Sequence, residues 1–303
     1  MGPASRDRKE LYARTRKGAP GFADGIDPTL PRYRAVISGA YYEWTPDTDS
    51  WEEFNTGSVG SVSSWAPGDD AVFQLGSASG SDPSTRVDWW RRSEQWQALP
   101  ETPTSVRLGV PGWRDGRLWV AGGKEGLQSS SDAFLSIDPY TESSWTNHAP
   151  VPHDVEMGSG GWLDGMFHLV GGRNASGNIN YFDHFVYDPS LDSWDTLPDA
   201  PVNMRRPGTP AGSRIYCFGG TTLYSWSDTD GWQSHGDAPE AESADQPRTG
   251  VYDPAMNEIY FAGGHTSSHA RFWRYSVAEG TWTQGPNLPS SVSMARCQLL
   301  VDG

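Results

Sequence analysis

The sequence is poor in cysteine and has no long apolar run, and each absence excludes a class of protein. It contains 2 cysteines in 303 residues, and both Cys217 and Cys297 lie in short apolar stretches that are typical of buried free thiols. No stretch of 18 apolar residues is present, so no transmembrane helix is predicted. The charged N-terminus, MGPASRDRKELYARTRKGAP, lacks the apolar segment of a secretory signal. These absences argue against a disulfide scaffold and predict a cytoplasmic protein.

Positive charge is scarce outside the first 34 residues. The whole chain has a net charge of −15, and residues 1–34 hold eight Lys or Arg and four Asp or Glu, so the remainder carries −19. An acidic body argues against binding to a phosphate backbone, which requires a positive surface. No nucleic-acid partner is therefore predicted and, in the absence of an apolar run, no membrane partner either.

Glycine, proline and tryptophan are abundant, at 35, 23 and 15 residues, and they recur in a pattern. Six segments consist of a short apolar run that ends in a glycine pair or in a degenerate copy of it. They are AVISGAYYE at 35–43, VFQLGSASG at 72–80, LWVAGGKEG at 118–126, FHLVGGRNA at 167–175, IYCFGGTTL at 215–223 and IYFAGGHTS at 259–267. A tryptophan follows each of them: Trp51, Trp96, Trp145, Trp194, Trp232 and Trp282. Such self-similarity indicates a repeat architecture.

The six units resemble the kelch family, whose repeat of roughly 50 residues is close to the spacing seen over residues 34–303. The resemblance implies an all-β fold, a six-bladed kelch-type β-propeller in which each unit forms one four-stranded blade. It divides the chain into a basic N-terminal arm at 1–33 and a propeller at 34–303.

Local sequence features support this fold. Runs such as RLWVA and MFHLV are β-branched and aromatic, as in strands that are buried on both faces. The glycine pairs are expected to end these strands where neighbouring backbones leave no room for a Cβ atom. Asp115-Gly116 and Asp164-Gly165 predict tight hairpin turns, and the segments DPYTES and DPSLDS predict Asp-Pro turns in the outer hairpins. The repeated tryptophans are expected to fill the gaps between blades.

The C-terminal segment ARCQLLVDG predicts how the ring closes. It forms a strand that runs into a DG turn, but no glycine-pair strand follows it. The N-terminal segment RYRAVISGAYYEW begins with such a strand and has no inner strand before it. We therefore expect the last strand to complete the first blade, with Leu299 near Val36, which would remove two sheet edges.

In a propeller, the loops that leave the glycine-pair strands and the loops that enter the innermost strands open on one face, around the central channel. The first series carries Tyr41, Lys124, Arg173, Thr221 or Thr222, and His265. The second series carries Arg107, Glu156, Arg206, Arg248 and Arg296. These residues are predicted to form an arginine-rich ring at the channel mouth, which is the candidate ligand-binding site.

Arginines at matching places in the kelch domains of animal ubiquitin-ligase adaptors bind acidic peptide segments. The resemblance implies this role for Arg107, Arg173, Arg206, Arg248 and Arg296, and a guanidinium group can engage both oxygens of a carboxylate. The chain is accordingly predicted to be a binding or protein-interaction module for an acidic peptide, an acidic protein or a sugar acid. The alternative is that these arginines only bind carbonyl groups of neighbouring blades.

Glu156 keeps an enzymatic alternative open. It is the only acid in the predicted ring, where its carboxylate could serve as a catalytic base for a sugar or a small acid. A bacterial sialic-acid mutarotase family is also a six-bladed kelch ring. This likeness of fold alone suggests a mutarotase, an epimerase, or a biosynthetic isomerase or cyclase. No cofactor and no metal site are predicted, since the spacing of His265 and His269 suits a metal only on a helix.

The basic N-terminal arm predicts a second contact. Its segment SRDRKELYARTRKG is followed by the Gly- and Pro-rich segment APGFADGIDPTLP. We expect residues 5–30 to dock on an acidic partner or on a neighbouring subunit of a larger assembly, such as a virus particle. A solubilising tail is the alternative.

Overall fold

The regular secondary structure of the chain, in the part that the structure describes, consists of β-strands. The computed structural model describes residues 32–37, 40–45, 50–54, 62–67, 71–77, 85, 87–91, 97–125, 129–205, 208–239, 249–262, 271–288 and 297–302. Side chains are described at 73, 75, 76, 85, 87, 97–125, 129–205, 208–239, 250–261 and 271–288. Within these ranges no helix has the length and apolar character that a bilayer crossing requires.

The described residues contain 24 strands. In chain order they are β1 Arg32–Ile37, β2 Ala40–Thr45, β3 Ser50–Phe54, β4 Val62–Pro67, β5 Ala71–Ser77, β6 Val87–Arg91, β7 Gln97–Ala98, β8 Val110–Arg114, β9 Arg117–Lys124, β10 Ser130–Ile137, β11 Thr146–Asn147, β12 Ser159–Leu163, β13 Met166–Val170, β14 His184–Asp188, β15 Ser193–Leu197, β16 Thr209–Ala211, β17 Arg214–Gly219, β18 Thr222–Ser227, β19 Gly231–Asp237, β20 Thr249–Asp253, β21 Glu258–Ala262, β22 Phe272–Ser276, β23 Thr281–Gln284 and β24 Cys297–Asp302.

The strands pair into four-stranded antiparallel sheets. Five sheets contain consecutive strands, namely β4–β7, β8–β11, β12–β15, β16–β19 and β20–β23. A further sheet has the order β24-β1-β2-β3, and in it Leu299 lies opposite Ala35, the neighbour of the expected Val36. At least four of these sheets pack as blades. The predicted all-β propeller with four-stranded blades is therefore confirmed.

The predicted hairpin turns are also confirmed. Asp115 and Gly116 have φ values of 51° and 77°, and they join β8 to β9. Asp164 and Gly165 have φ values of 47° and 89°, and they join β12 to β13. Positive φ at both central residues is the geometry of the tightest hairpins, which glycine and aspartate tolerate best. In the outer turn after β10, the Asp138 carboxylate accepts a hydrogen bond from a backbone N–H two residues on.

The glycine pairs allow neighbouring backbones to approach closely. A Cβ atom on Gly122 would lie 2.4 Å from the carbonyl oxygen of Val155, and one on Gly171 would lie 2.6 Å from that of Met204. Both distances are shorter than a Cβ contact allows, so a larger residue would force the backbones apart. The prediction that each pair ends its strand is wrong for β9, which continues to Lys124 because β10 still pairs with residues 123 and 124.

The hydrophobic core is divided into layers that lie between successive sheets. One layer joins the sheets β4–β7 and β8–β11, and Phe73 and Leu118 belong to it. The next joins β8–β11 to β12–β15 through residues such as Phe134 and Phe167, whose ring centroids are 5.0 Å apart. Two further layers follow the same plan in the remaining described sheets. The sheets β8–β11, β12–β15 and β16–β19 therefore contribute apolar side chains from both of their faces, as the β-branched and aromatic runs predict.

The repeated tryptophans link one sheet to the next. The indole Nε1 of Trp145 donates to the carbonyl of Pro100 at 2.8 Å, and that of Trp194 donates to Ala149 at 2.9 Å. Trp232 bonds in the same way, at 3.1 Å, to the chain that follows β15. In each case the acceptor follows the outermost strand of the preceding sheet. The expectation that these rings fill the gaps between blades is confirmed for all three.

A buried histidine pair lies in the layer between the sheets β12–β15 and β16–β19. His168 Nδ1 and His184 Nε2 are 2.9 Å apart, and the two side chains are 4 % and 0 % exposed. Both rings pack against Trp226 of β18, with centroids 5.1 Å and 4.7 Å away. Burial lowers the pKa of His168 to about 4 and, together with the neighbouring His168, that of His184 to about 3. The folded protein therefore holds both rings neutral at pH 7.

Candidate functional site

Four charged residues of the predicted site have described side chains, and they come from adjacent segments. They are Arg107, Lys124, Glu156 and Arg173, which we call the cation cluster. Arg107 and Glu156 precede the innermost strands β8 and β12, whereas Lys124 ends β9 and Arg173 follows β13. The backbone N–H of Lys124 donates to the carbonyl of Arg107 at 2.6 Å. The two predicted series of loop residues therefore meet at one end of these sheets.

Glu156 is the centre of the cation cluster. Its side chain is 0 % exposed, and Arg173 Nε donates to its Oε1 at 3.0 Å. Lys124 Nζ lies 3.6 Å from its Oε2 and donates to the carbonyl of Ala175 at 3.2 Å. Backbone hydrogen bonds in both directions also join Glu156 and Arg173, at 2.9 Å and 3.0 Å. A buried carboxylate requires such compensation, so Glu156 holds the two cations in place.

The glycine pairs explain why these side chains can meet. Gly122 and Gly172 have φ values of +65° and +88°, which favour glycine. A Cβ atom on Gly172 would lie 2.6 Å from Val155 Cγ2 and 2.9 Å from the carbonyl oxygen of Glu156. The segment that carries Glu156 therefore passes directly against the glycine pair before Lys124 and the glycine pair before Arg173.

The cation cluster has more hydrogen-bond donors than its own acceptors engage. Arg173 is paired through Nε, and no partner for its two Nη groups lies among the described residues. Its side chain is 28 % exposed, so these groups are accessible. The Nε atom of Arg107 is buried, and no hydrogen-bond partner for it lies in the described part of the chain either. Guanidinium donors of Arg173 and Arg107 are therefore left over, and Glu156 Oε2, which lies 3.6 Å from Lys124 Nζ, accepts no hydrogen bond within the described residues.

The loops around the cation cluster are acidic, but their carboxylates are already engaged. Asp154 accepts a hydrogen bond from Ser130, Glu125 accepts one from Thr104, and Asp183 lies 3.2 Å from His153 Nε2. Burial, with Asp154 and Asp183 nearby, raises the pKa of the Tyr181 hydroxyl. The surrounding potential is therefore negative, and the cation cluster is a local exception to it.

A further arginine, which the sequence pattern did not indicate, lies close to the cation cluster. Arg205 Nε donates to Asn203 Oδ1 at 2.5 Å, and another of its guanidinium nitrogens donates to Asn180. Asn180 lies opposite Arg173 in an isolated β-bridge, and Arg173 lies opposite Glu156 in a second one. The repeat pattern favours Arg206 at this place, whereas the structure places its neighbour Arg205 beside the loop of Arg173.

Two bulky residues at the cation cluster have unusual backbone conformations. Leu108 and Met157 have φ values of 60° and 59°, and they follow Arg107 and Glu156 directly. The backbone N–H of Met157 donates to the carbonyl of Leu108 at 2.8 Å. Both side chains are half-buried. No sequence signal predicts this conformation, because leucine and methionine rarely adopt it.

The other predicted ligand-binding residues cannot be compared with the structure in the same way. Arg206, Arg248, Arg296 and His265 lie outside the described residues, as do residues 1–31 of the predicted N-terminal arm at 1–33, whereas Arg32 and Tyr33 belong to β1. Tyr41 lies in β2, opposite Val36 and Phe54, but its side chain is outside the described set. Cys217 is a buried free thiol, as predicted, and burial raises its pKa to about 12.

Comparisons with known proteins give no family and no relative. No family model matches the chain, and no curated protein matches it. Among the described residues, no group of three or more His, Cys, Asp or Glu side chains is arranged to hold a metal ion. The cation cluster is therefore interpreted from its own geometry.

Proposed function

We propose that the six four-stranded sheets are the blades of one closed, kelch-type ring. The innermost strands support this, because β4, β8, β12, β16, β20 and β24 contact one another in that order and β24 contacts β4 in turn. The pairing of β24 with β1 would then join the chain termini of the ring in a single blade. The glycine pairs and the cross-sheet tryptophan bonds recur in several sheets, as a kelch-type repeat requires.

Within this ring, we propose that the protein is a binding module for an anionic ligand, an acidic peptide segment or a sugar acid. The site is the cation cluster at the channel mouth, and Arg173 is its main contact. The observation that carries the proposal is that the guanidinium group of Arg173 engages the Glu156 carboxylate through Nε alone. Its Nη groups remain for a carboxylate, to which a guanidinium fork can donate two hydrogen bonds.

The burial of Glu156 favours binding over catalysis. A catalytic base must come within hydrogen-bond reach of its substrate, but Glu156 is 0 % exposed and lies beneath Lys124 and Arg173. In this arrangement its carboxylate positions the two cations. It also leaves the cluster with a net positive charge, because one negative charge offsets only one of the three cations.

Calorimetric titration of the full chain with matched peptides tests this function. The probe is a hexapeptide with three glutamates, blocked at both ends, and its control has glutamines in their place. We expect only the acidic peptide to bind. We expect Arg173→Gln to weaken its binding by roughly 10- to 100-fold, because charge-assisted hydrogen bonds contribute about 1.5–3 kcal/mol. Glucuronate and glucose form a second matched pair, which distinguishes a sugar acid from a peptide as the source of the carboxylate.

Arg114 offers a control at the other end of β8. Its guanidinium carbon lies 4.7 Å from the centre of the Trp162 ring, outside the cation cluster. Arg114→Gln should therefore leave the affinity unchanged. Equal binding by wild type and Arg173→Gln, or no binding of any acidic probe, would refute the proposal. Accelerated exchange between glucuronate anomers that Glu156→Gln abolishes would favour the enzymatic alternative instead.

A further inference from the structure

Leu108 and Met157 differ from all other described non-glycine residues with positive φ. The others are Asp115, Asp164, Asp192 and Asn257, and each is the aspartate or asparagine that such a backbone tolerates. Leu108 and Met157 are instead a γ-branched and a long unbranched apolar residue. They are also the only two of the six that lie beside the cation cluster rather than in a turn between paired strands.

This backbone conformation is unfavourable for a bulky L-residue, because Cβ approaches the carbonyl oxygen. Asparagine or glycine would adopt it at lower cost, and either would keep the backbone hydrogen bond from Met157 to Leu108. The backbone conformation at these two positions therefore does not by itself select an apolar side chain. Strained residues of this kind are concentrated at ligand sites.

The two residues adjoin members of the cation cluster in the chain. Leu108 follows Arg107, Met157 follows Glu156, and the hydrogen bond between their backbones makes them neighbours across two sheets. Both are half-buried, so each has apolar surface left to cover. Two partly exposed apolar residues thus adjoin the residues of the cation cluster.

We infer that the ligand carries an apolar group next to its negative charge, and that Leu108 and Met157 contact this group. The inference rests on the proposed function, since it assigns the carboxylate to Arg173. The occupant that fits both features is an acidic peptide in which a large aliphatic residue adjoins a glutamate. A sugar acid, whose carbons carry hydroxyl groups, offers no such apolar group.

The test compares two acidic peptides that differ at one residue. Both are blocked hexapeptides with three glutamates, and one has a central leucine where the other has serine. The wild-type protein should bind the leucine peptide roughly tenfold more tightly, which is the effect of partly burying one leucine side chain. Leu108→Asn and Met157→Asn should each reduce this preference, and the double variant should bind both peptides equally. The affinity for the serine peptide should stay the same.

Asparagine is chosen because it tolerates the left-handed conformation, so the melting temperature should be unchanged or higher. Asp115→Asn places the same residue in the same conformation at the opposite end of β8, and it should alter neither affinity nor preference. Equal binding of both peptides by the wild type would overturn the inference while leaving the proposed function intact. A preference that survives in the double variant would also overturn it. If neither peptide binds, both proposals fail.

Discussion

The buried pair of His168 and His184 predicts a steep loss of stability in mild acid. Both pKa values lie below the ordinary value of 6.5 in the folded chain, at about 4 and about 3. The unfolded chain, in which both rings are solvated, therefore takes up protons first as the pH falls. Stability is at its maximum above pH 6.5, falls between 6.5 and about 4, and levels off once the folded rings also titrate.

The magnitude follows from the width of this interval. Each histidine costs about 1.4 kcal/mol for every pH unit within it, so the pair costs about 2.7 kcal/mol per unit. Between pH 7 and about pH 5 the free energy of unfolding should fall by about 4 kcal/mol, a large part of a typical stability of roughly 5–15 kcal/mol. The carboxylate of Asp164 opposes the loss by stabilising the charged form of His168, but it is the smaller influence.

Urea denaturation followed by tryptophan fluorescence at several pH values between 7 and about 5 measures this loss. Carboxylates such as that of Asp138, whose pKa hydrogen bonding lowers, titrate below this interval and do not contribute to the slope. His184→Gln and His168→Gln should each remove about half of the part of the slope that the pair contributes. The double variant should retain only the smaller contribution of His148 and His235, whose pKa values burial also lowers.

Two outcomes would refute this reasoning. A free energy of unfolding that stays flat between pH 7 and 5 would mean that the pair is protonated, or is hydrated, in the folded protein. A slope that both single variants leave unchanged would assign the acid sensitivity to other groups.

Two further predictions concern the contacts between sheets. Trp194→Phe should lower the free energy of unfolding, measured by urea denaturation, by about 1–2 kcal/mol, because it removes a hydrogen bond to the preceding sheet. Trp282→Phe is its control, since the indole nitrogen of Trp282 has no hydrogen-bond partner among the described residues. Equal losses in the two variants would refute the role of the bond. Gly171→Ala should lower the melting temperature well below that of Gly212→Ala. The two glycines have similar φ values of +63° and +59°, but a Cβ atom would clash with Met204 only at Gly171. Equal shifts in melting temperature would contradict the close approach of the backbones.

The blades could be predicted from the sequence because each one repeats the same physical requirements. Positive φ at a hairpin selects Asp-Gly, as at Asp115-Gly116, and a close backbone contact selects glycine, as at Gly122. A position that admits only one or two residue types leaves a signature in every unit. The end of β9 was predicted less well, because a glycine pair permits a strand to end without requiring it.

The candidate site was predictable only in part. The repeats place Lys124 and Arg173 at equivalent positions of one loop series and Glu156 in the other series, and the structure brings the three residues together. The burial of Glu156 was not predictable, since it depends on side chains from two sheets that cover it. The positive φ values of Leu108 and Met157 could not be predicted from the sequence either, because bulky residues in this conformation have no sequence signature.

The bonds of Trp145, Trp194 and Trp232 to the preceding sheets have a consequence for how such a chain can grow. Donor and acceptor belong to successive units, so duplicating a whole unit in the gene would supply a new carbonyl together with every new indole. The separation in sequence between donor and acceptor also varies: it is 45 residues for Trp145 and Trp194 but 34 residues for Trp232. The loops between donor and acceptor therefore differ in length from unit to unit, while the hydrogen bond between neighbouring sheets is kept.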